Sequence, residues 1–113
     1  MALENFTKQS WEEFRIDVDF GNNMDSGEEL NLGSCVFTGY DASGATCTTA
    51  IADLSTMTLI NGSSTGMTSS SLQLLVRAGE EANSPYKLTF KGVTDLSPPH
   101  KWEKDIAMKI KET

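Results

Sequence analysis

An alternation of apolar and polar residues with a period of two recurs along this chain, and it constrains the fold more than any other feature. The segment "EFRIDVDF" places Phe14, Ile16, Val18 and Phe20 on one side and charged side chains on the other. Because successive side chains of a strand point to opposite faces, this pattern is typical of a half-buried β-strand. The pattern recurs in three later segments: "SLQLLVRA", "PYKLTFKGV" and "WEKDIAMKI". The sequence therefore predicts a chain built mainly from strands.

Weaker strand patterns occupy the middle of the chain, in "LNLGSCVFTGY", "GATCTTAI" and "TMTLI". Gly33 interrupts the first of these and predicts a bulge or a bend there. Turn-forming segments separate the strands: "DSG", "DASG", "NGSSTG", "AGEEANSP" and "DLSPPH". About seven short strands with turns at this spacing predict an all-β antiparallel sandwich. Helix is predicted for one turn at most, where "SWEE" matches a capping box in which Glu13 reaches back to Ser10.

The length of 113 residues favours one domain, which we place at residues 1–113 with residues 1–12 as an N-terminal arm. The net charge of −7 argues against a nucleic-acid partner, because phosphate binding requires clustered Lys and Arg. No apolar run approaches the roughly 20 residues of a membrane span, so we expect no membrane association. The first residues lack the pattern of a secretion signal, which favours a cytosolic chain in which Cys35 and Cys47 are reduced thiols rather than a disulfide.

Two carboxylates in the first strong strand raise the question of a metal or acid–base site. Asp17 and Asp19 share one face of the predicted strand, where positions two apart lie about 6.5–7 Å from each other. That distance does not force a shared proton, and a metal ion would need further oxygen ligands. Asp25, Glu28 and Glu29 follow in sequence, but a loop that starts at Asp17 or Asp19 does not have the residue spacing of an EF-hand calcium-binding loop. We interpret Asp17 and Asp19 as the solvent face of a strand.

No catalytic constellation emerges from the remaining residues. Ser84 and Lys87 have the spacing of serine acylases, but that chemistry needs both on one helical turn, and here a proline and a strand intervene. Cys35, Cys47 and the single histidine, His100, lack the short-spaced ligand pair of a zinc site. No phosphate-binding glycine loop occurs. The sequence therefore predicts a protein that is not an enzyme, with no catalytic residues, no metal site and no cofactor.

Two aromatic residues carry structural predictions. Tyr86 begins the penultimate predicted strand directly after a loop that ends in Pro85. In immunoglobulin-like sandwiches a tyrosine at this corner hydrogen-bonds back to the preceding connection, and simple burial in the core is the alternative. Trp102 is predicted to lie in the core, and Trp11 is a candidate interface anchor, because tryptophan is enriched at binding hot spots.

With the strands placed, the chain resembles a family of small phage and prophage virion proteins, described as fibre–tail or head–tail adaptors. Those proteins open with Phe-x-Lys, an acidic turn and an alternating strand that ends in Asp and an aromatic residue. The segment "FTKQSWEEFRIDVDF" supplies Phe6, Lys8, the acidic turn, Asp19 and Phe20. Three further segments fit the family pattern: "SGEEL", "LQLLVRAGEEANSPYKLTF" and "EKDIAMKIKET".

The resemblance implies an immunoglobulin-like sandwich that serves as a non-enzymatic building block in virion or tail assembly. Its implied partners are other virion proteins and copies of itself, its location the virion and, during assembly, the host bacterial cytoplasm. The candidate interface residues are Phe6, Lys8 and Trp11. A ligand- or carbohydrate-binding β-sandwich module is the alternative, and it requires an exposed aromatic platform.

Overall fold

Seven strands form two sheets in the computed structural model, which describes residues 4–62 and 68–112. The strands are β1 (Glu4–Lys8), β2 (Phe14–Asp19), β3 (Val36–Tyr40), β4 (Ala52–Ile60), β5 (Ser71–Val76), β6 (Tyr86–Val93) and β7 (Lys101–Ile110). A single helical turn, α1 (Thr48–Ile51), precedes β4, and three 3₁₀ turns occur at Gly21–Asn23, Leu32–Ser34 and Glu81–Asn83. Within the described residues, no helix has the length and apolar character needed to cross a membrane.

The strand order is β1-β7-β6-β3 in one sheet and β2-β5-β4 in the other. β1 runs parallel to β7, with Glu4 opposite Ile106 and Lys8 opposite Ile110, and the other strand pairs are antiparallel. The prediction of an all-β sandwich is confirmed. Of the stretch predicted as an N-terminal arm, residues 4–8 form the edge strand β1.

The order of six strands agrees with that of a constant-type immunoglobulin domain, in which the second, fifth and fourth strands and the third, sixth and seventh strands form neighbouring groups. The first strand differs, because it joins the seventh rather than the second. The Tyr86 hydroxyl accepts a hydrogen bond from the Glu80 N–H in the preceding connection at 2.8 Å, and the side chain is also buried in the core. Tyr86 thereby fixes the connection between β5 and β6.

Alternate side chains of the strands fill the space between the two sheets. The buried apolar residues of the four strongly alternating segments are Val18, Phe20, Leu72, Leu74, Val76, Tyr86, Leu88, Phe90, Ile106, Met108 and Ile110. These lie at inward positions that the period of two predicts, whereas Phe14, predicted on the same face of β2, is 36% exposed. Trp102 is half-buried and packs against this core, in agreement with its predicted place.

The prediction of a strand in "GATCTTAI" is wrong. Thr46 makes only an isolated bridge to Tyr40, and the residues that follow form α1. The turn brings the Ile51 side chain over Gly39, where a Cβ atom would lie 2.6 Å from Ile51 Cδ1. The Thr48 hydroxyl accepts the Gly39 N–H at 3.1 Å. Burial of Ile51 against a bare backbone therefore overrides the β-propensity of the threonines.

Three predictions about turns have different outcomes. In "DASG" the Asp41 carboxylate accepts the N–H groups of Ser43 and Ala45, and the Ser43 hydroxyl bond lowers the pKa of Asp41. Gly33 lies in a 3₁₀ turn, the predicted bend before β3. The turn predicted in "NGSSTG" continues from Gly62 into residues that lie outside the described part of the chain; β4 and β5, which flank it, are antiparallel.

Candidate functional site

The turn between β1 and β2 carries Trp11, whose side chain is 91% exposed. The turn is closed by a hydrogen bond from the Glu12 N–H to the Gln9 carbonyl at 3.2 Å. The Glu12 carboxylate reaches back to the Gln9 N–H at 2.6 Å. The predicted capping box is therefore shifted by one residue, because Glu12, and not Glu13, returns to the start of the turn. A defined backbone conformation thus presents an indole to solvent.

The buried side chain of Lys8 stabilises this turn through hydrogen bonds to its carbonyl groups. Its side chain is only 2% exposed, and its ammonium group donates to the carbonyls of Gln9 and Glu12, both at 2.9 Å, and of Ala78 at 2.5 Å. A lysine ammonium has three donors, so these carbonyls saturate it. Burial lowers the pKa of Lys8, and the nearby Glu12, Glu112 and Glu13 carboxylates oppose that shift. Lys8 is therefore a structural residue whose ammonium group is not available to a partner.

The residues that follow β7 fix the same turn from another side. The Lys111 N–H donates to the Lys8 carbonyl at 3.0 Å, and the Ser10 N–H donates to Glu112 Oε1 at 2.7 Å. Hydrogen bonds from Ser10 lower the pKa of Glu112. The Trp11 turn is thus attached to β7 and to the connection between β5 and β6.

A groove of about 450 Å³ lies beside this turn, between β1 and β2. It is lined by residues 4–7 of β1, residues 14–17 of β2 and Ile106. The rings of Phe6 and Phe14 meet there at 5.7 Å with an angle of 65° between their planes. Both strands are edges of their sheets. Edge strands carry backbone N–H and C=O groups without a neighbouring strand, and such edges accept added strands in many complexes.

The two carboxylates of β2, Asp17 and Asp19, have separate local partners. Asp17 is exposed and accepts a hydrogen bond from Gln73 Nε2 at 2.8 Å. Asp19 is half-buried, and its Oδ1 accepts the Gly21 N–H at 2.7 Å, which supports the 3₁₀ turn that follows. The interpretation as a purely solvent-facing pair therefore fits Asp17, whereas Asp19 stabilises a turn.

Both cysteines are free thiols, as predicted. Cys35 is buried, and its Sγ accepts the Val93 N–H at 3.4 Å. Cys47 lines a cavity of about 280 Å³ together with Asp41 and Tyr86. Burial raises the pKa of both thiols, and the Asp41 charge raises that of Cys47 further. A raised pKa disfavours the reactive thiolate, so neither cysteine has the environment of a nucleophile.

A third group of polar side chains lies at the other end of β7, and sequence analysis did not bring it together. One ligand-type atom from each of Asp25, Glu28 and His100 falls within 4.8 Å of the others. Glu28 is buried, whereas Asp25 and His100 are exposed. The only signals in the sequence were an acidic segment and a single histidine, which lie in different connections. This trio is the one arrangement in the described part of the chain that could hold a metal ion.

A scan of family models and searches of curated proteins and of solved structures gave no match to this chain.

Proposed function

We propose that this chain is a non-enzymatic structural or adaptor protein of a phage or prophage virion, and that it acts through protein–protein contacts. The observation that carries the proposal is Trp11, 91% exposed on a turn that three hydrogen-bonded segments hold in place. An exposed tryptophan on a preorganised backbone loses little entropy on binding and is a frequent hot spot. The sequence resemblance to virion adaptors supplies the biological setting.

The residues that carry this resemblance are also those that build the turn. Lys8 donates hydrogen bonds to the turn's carbonyls, Glu12 closes the turn, and Phe6 lines the adjacent groove. A motif of Phe-x-Lys followed by an acidic turn therefore has a physical purpose: it presents Trp11 beside an open strand edge. This connection between motif and surface supports a contact role for the region.

The groove between β1 and β2 would receive an extended segment of a neighbouring virion protein. The other outer edge of the β2 sheet, β4, is less suited, because its register with β5 shifts between Asp53 and Thr58. Such irregularities twist an edge and hinder strand addition. Repetition of one modest contact around a symmetric ring would give a stable assembly.

The alternative, a carbohydrate-binding module, receives no support from the aromatic residues that the structure describes. Glycan platforms use rings that lie flat against a sugar face, whereas Phe6 and Phe14 meet edge to face at 65°. Trp102, the second tryptophan, is half-buried and packs against the core. Trp11 remains as an isolated exposed indole, which fits a protein contact better than a platform.

The test is made in the phage or prophage genome that carries the gene. Particles are prepared from the wild type, from a deletion and from a Trp11→Ala variant, and the chain is quantified in them by mass spectrometry. We expect multiple copies in wild-type particles, incomplete particles in the deletion, and incorporation of Trp11→Ala reduced at least tenfold.

Leu54→Ala serves as the matched control, because Leu54 is an apolar residue on β4, 41% exposed, and β5 separates its strand from the β2 side of the groove. It should be incorporated like the wild type. Trp11→Ala should unfold within about 0.5 kcal/mol of the wild type, as expected for an exposed side chain. Normal particles from the deletion, or no copies of the chain in wild-type particles, would refute the proposal.

A further inference from the structure

We propose that Asp25, Glu28 and His100 bind a divalent transition-metal ion, Zn²⁺ or Mn²⁺, and that this ion joins the β2–β3 connection to the β6–β7 connection. The site lies at the end of the sandwich opposite the Trp11 turn and is independent of the proposed virion role. Its argument rests on the geometry of the trio, on the scaffold that holds it and on the state of the Glu28 carboxylate.

The three side chains have the spacing of ligands around one ion. His100 Nδ1 lies 2.9 Å from Glu28 Oε2. This is close to the distance between two adjacent ligand atoms of an octahedral ion whose metal–ligand bonds are about 2.1 Å long. The complete set of ligand atoms lies within 4.8 Å. Two ligands of one ion are at most about 4.4 Å apart. A small rotation of the exposed Asp25 side chain is enough to close the set.

Glu28 supplies an observation that points to a ligand. Its side chain is only 1% exposed. Oε1 accepts the Asp25 N–H at 2.8 Å, whereas the buried Oε2 has no hydrogen-bond partner. His100 Nδ1 lies 2.9 Å from this oxygen, and the two atoms form an ion pair only when that nitrogen carries a proton. Buried carboxylate oxygens are normally satisfied, so an unpartnered one directed at two further ligand groups is typical of a site for a cation.

Backbone hydrogen bonds hold the two connections together around the trio. Leu30 forms a bridge with Thr94, and the Asp95 N–H donates to the Glu29 carbonyl at 2.9 Å. The His100 N–H donates to the Thr94 hydroxyl at 2.9 Å. Gly27, at φ +85, closes the turn from Asp25 to Glu28. Ligands on a scaffold of this kind are held in place before the ion arrives.

The donor set selects the class of metal. Two carboxylates and one imidazole suit zinc and manganese, whereas calcium requires six or more oxygen ligands and magnesium retains most of its water. The set contains no thiolate, which disfavours copper(I). Three protein ligands leave at least one coordination position for water or for a side chain of a neighbouring protein.

The test titrates tag-free, full-length protein with Zn²⁺, Mn²⁺ and Mg²⁺ in separate calorimetric experiments. We expect one equivalent of Zn²⁺ or Mn²⁺ to bind at least tenfold more tightly than Mg²⁺. A metal at 100 times its dissociation constant should raise the unfolding midpoint by roughly 10 °C. No saturable binding of Zn²⁺ or Mn²⁺ would overturn the proposal.

Two variants remove ligands and one neighbouring variant controls for the change. Glu28→Gln and His100→Phe should each weaken binding at least tenfold, and phenylalanine preserves the edge-to-face contact with Trp102, now at 5.5 Å. Glu29→Gln makes the same chemical change one position away and should bind like the wild type. Equal affinity in all four proteins would assign the metal to another part of the chain and refute the site.

Manganese also gives a readout of position, because it broadens nuclear magnetic resonance signals of nearby protons. The indole N–H of Trp102 should broaden at substoichiometric Mn²⁺, since its ring lies 5.5 Å from the ring of His100. Trp11 is attached to the other end of β7, about 30 Å away along a strand of this length, and its indole signal should remain sharp. Broadening of Trp11 before Trp102 would contradict the site.

Discussion

Two charged side chains are buried in this sandwich to nearly the same extent, but they differ in how many hydrogen-bond partners they have. Lys8 is 2% exposed and Glu28 is 3% exposed. The ammonium of Lys8 donates to carbonyls on both sides of its turn and on the β5–β6 connection. The carboxylate of Glu28 has one satisfied oxygen, and its other oxygen has no hydrogen-bond partner. They lie near opposite ends of β7.

The difference separates a structural charge from one that is open to a ligand. A buried charge is tolerated when its partners compensate for the lost hydration, as the carbonyls do for Lys8. Glu28 has such a donor on Oε1 only, and Oε2 faces the His100 imidazole, which compensates its charge only when Nδ1 carries a proton, so a bound cation can still lower the free energy of this carboxylate. Burial alone therefore does not reveal the role of a charged residue; the count of its partners does.

The largest expected effect is at Lys8. Lys8→Met keeps most of the aliphatic chain but removes the donor to the Glu12 and Ala78 carbonyls, whereas the Gln9 carbonyl keeps its bond from the Glu12 N–H. We expect the free energy of unfolding to fall by about 3 kcal/mol, since each buried group left without a partner costs roughly 1–3 kcal/mol. Urea denaturation measures the loss.

Lys109→Met is the control for Lys8→Met, because Lys109 lies in β7 with an exposed side chain. That variant should unfold within about 0.5 kcal/mol of the wild type. A loss below about 1 kcal/mol for Lys8→Met would show that the carbonyls find other donors, and Lys8 would then not be the residue that holds the turn.

A smaller effect is expected at Glu28 when no metal is present. Glu28→Gln removes the buried charge and keeps an oxygen that can accept the Asp25 N–H. The free energy of unfolding in the presence of a chelator should therefore change by less than about 1 kcal/mol, in either direction. A loss as large as that of Lys8→Met would place Glu28 among the structural charges and end the contrast between the two residues.

The sequence predicted the local part of this structure and missed what depends on distant pairing. The period of two located the buried faces of β2, β5, β6 and β7, because each face is a property of one segment. The Asp25, Glu28 and His100 trio depends on the bridge between Leu30 and Thr94, which no local pattern encodes.

The Trp11 turn illustrates the same limit in a single region. Its acidic capping residue was predicted, although one position too late, since both Glu12 and Glu13 can reach back in a short turn. The burial of Lys8 was not foreseen, because it arises when β1 pairs with β7 and brings the lysine beneath the turn next to Ala78. A candidate contact residue in the sequence thus became an internal support.

The smallest expected effect concerns Glu112, a carboxylate near the Lys8 turn that accepts a hydrogen bond from the Ser10 N–H. Hydrogen bonds from Ser10 lower its pKa below the usual 4.5. A carboxyl with a lowered pKa in the folded state adds stability above pH 4.5, and that contribution is lost as the pH falls through the folded value. A nuclear magnetic resonance titration should place the pKa of Glu112 below 4.5. Ser10→Ala, which keeps the backbone N–H, should raise this pKa partway towards 4.5.

Ser26→Ala is the control, because Ser26 is an exposed serine in another connection, and this variant should leave the pKa of Glu112 unchanged. A pKa at or above 4.5 in the wild type would show that the hydrogen bond from the Ser10 N–H to Glu112 does not persist in solution. The turn around Lys8 would then lack one of the hydrogen bonds that distinguish it from the surroundings of Glu28.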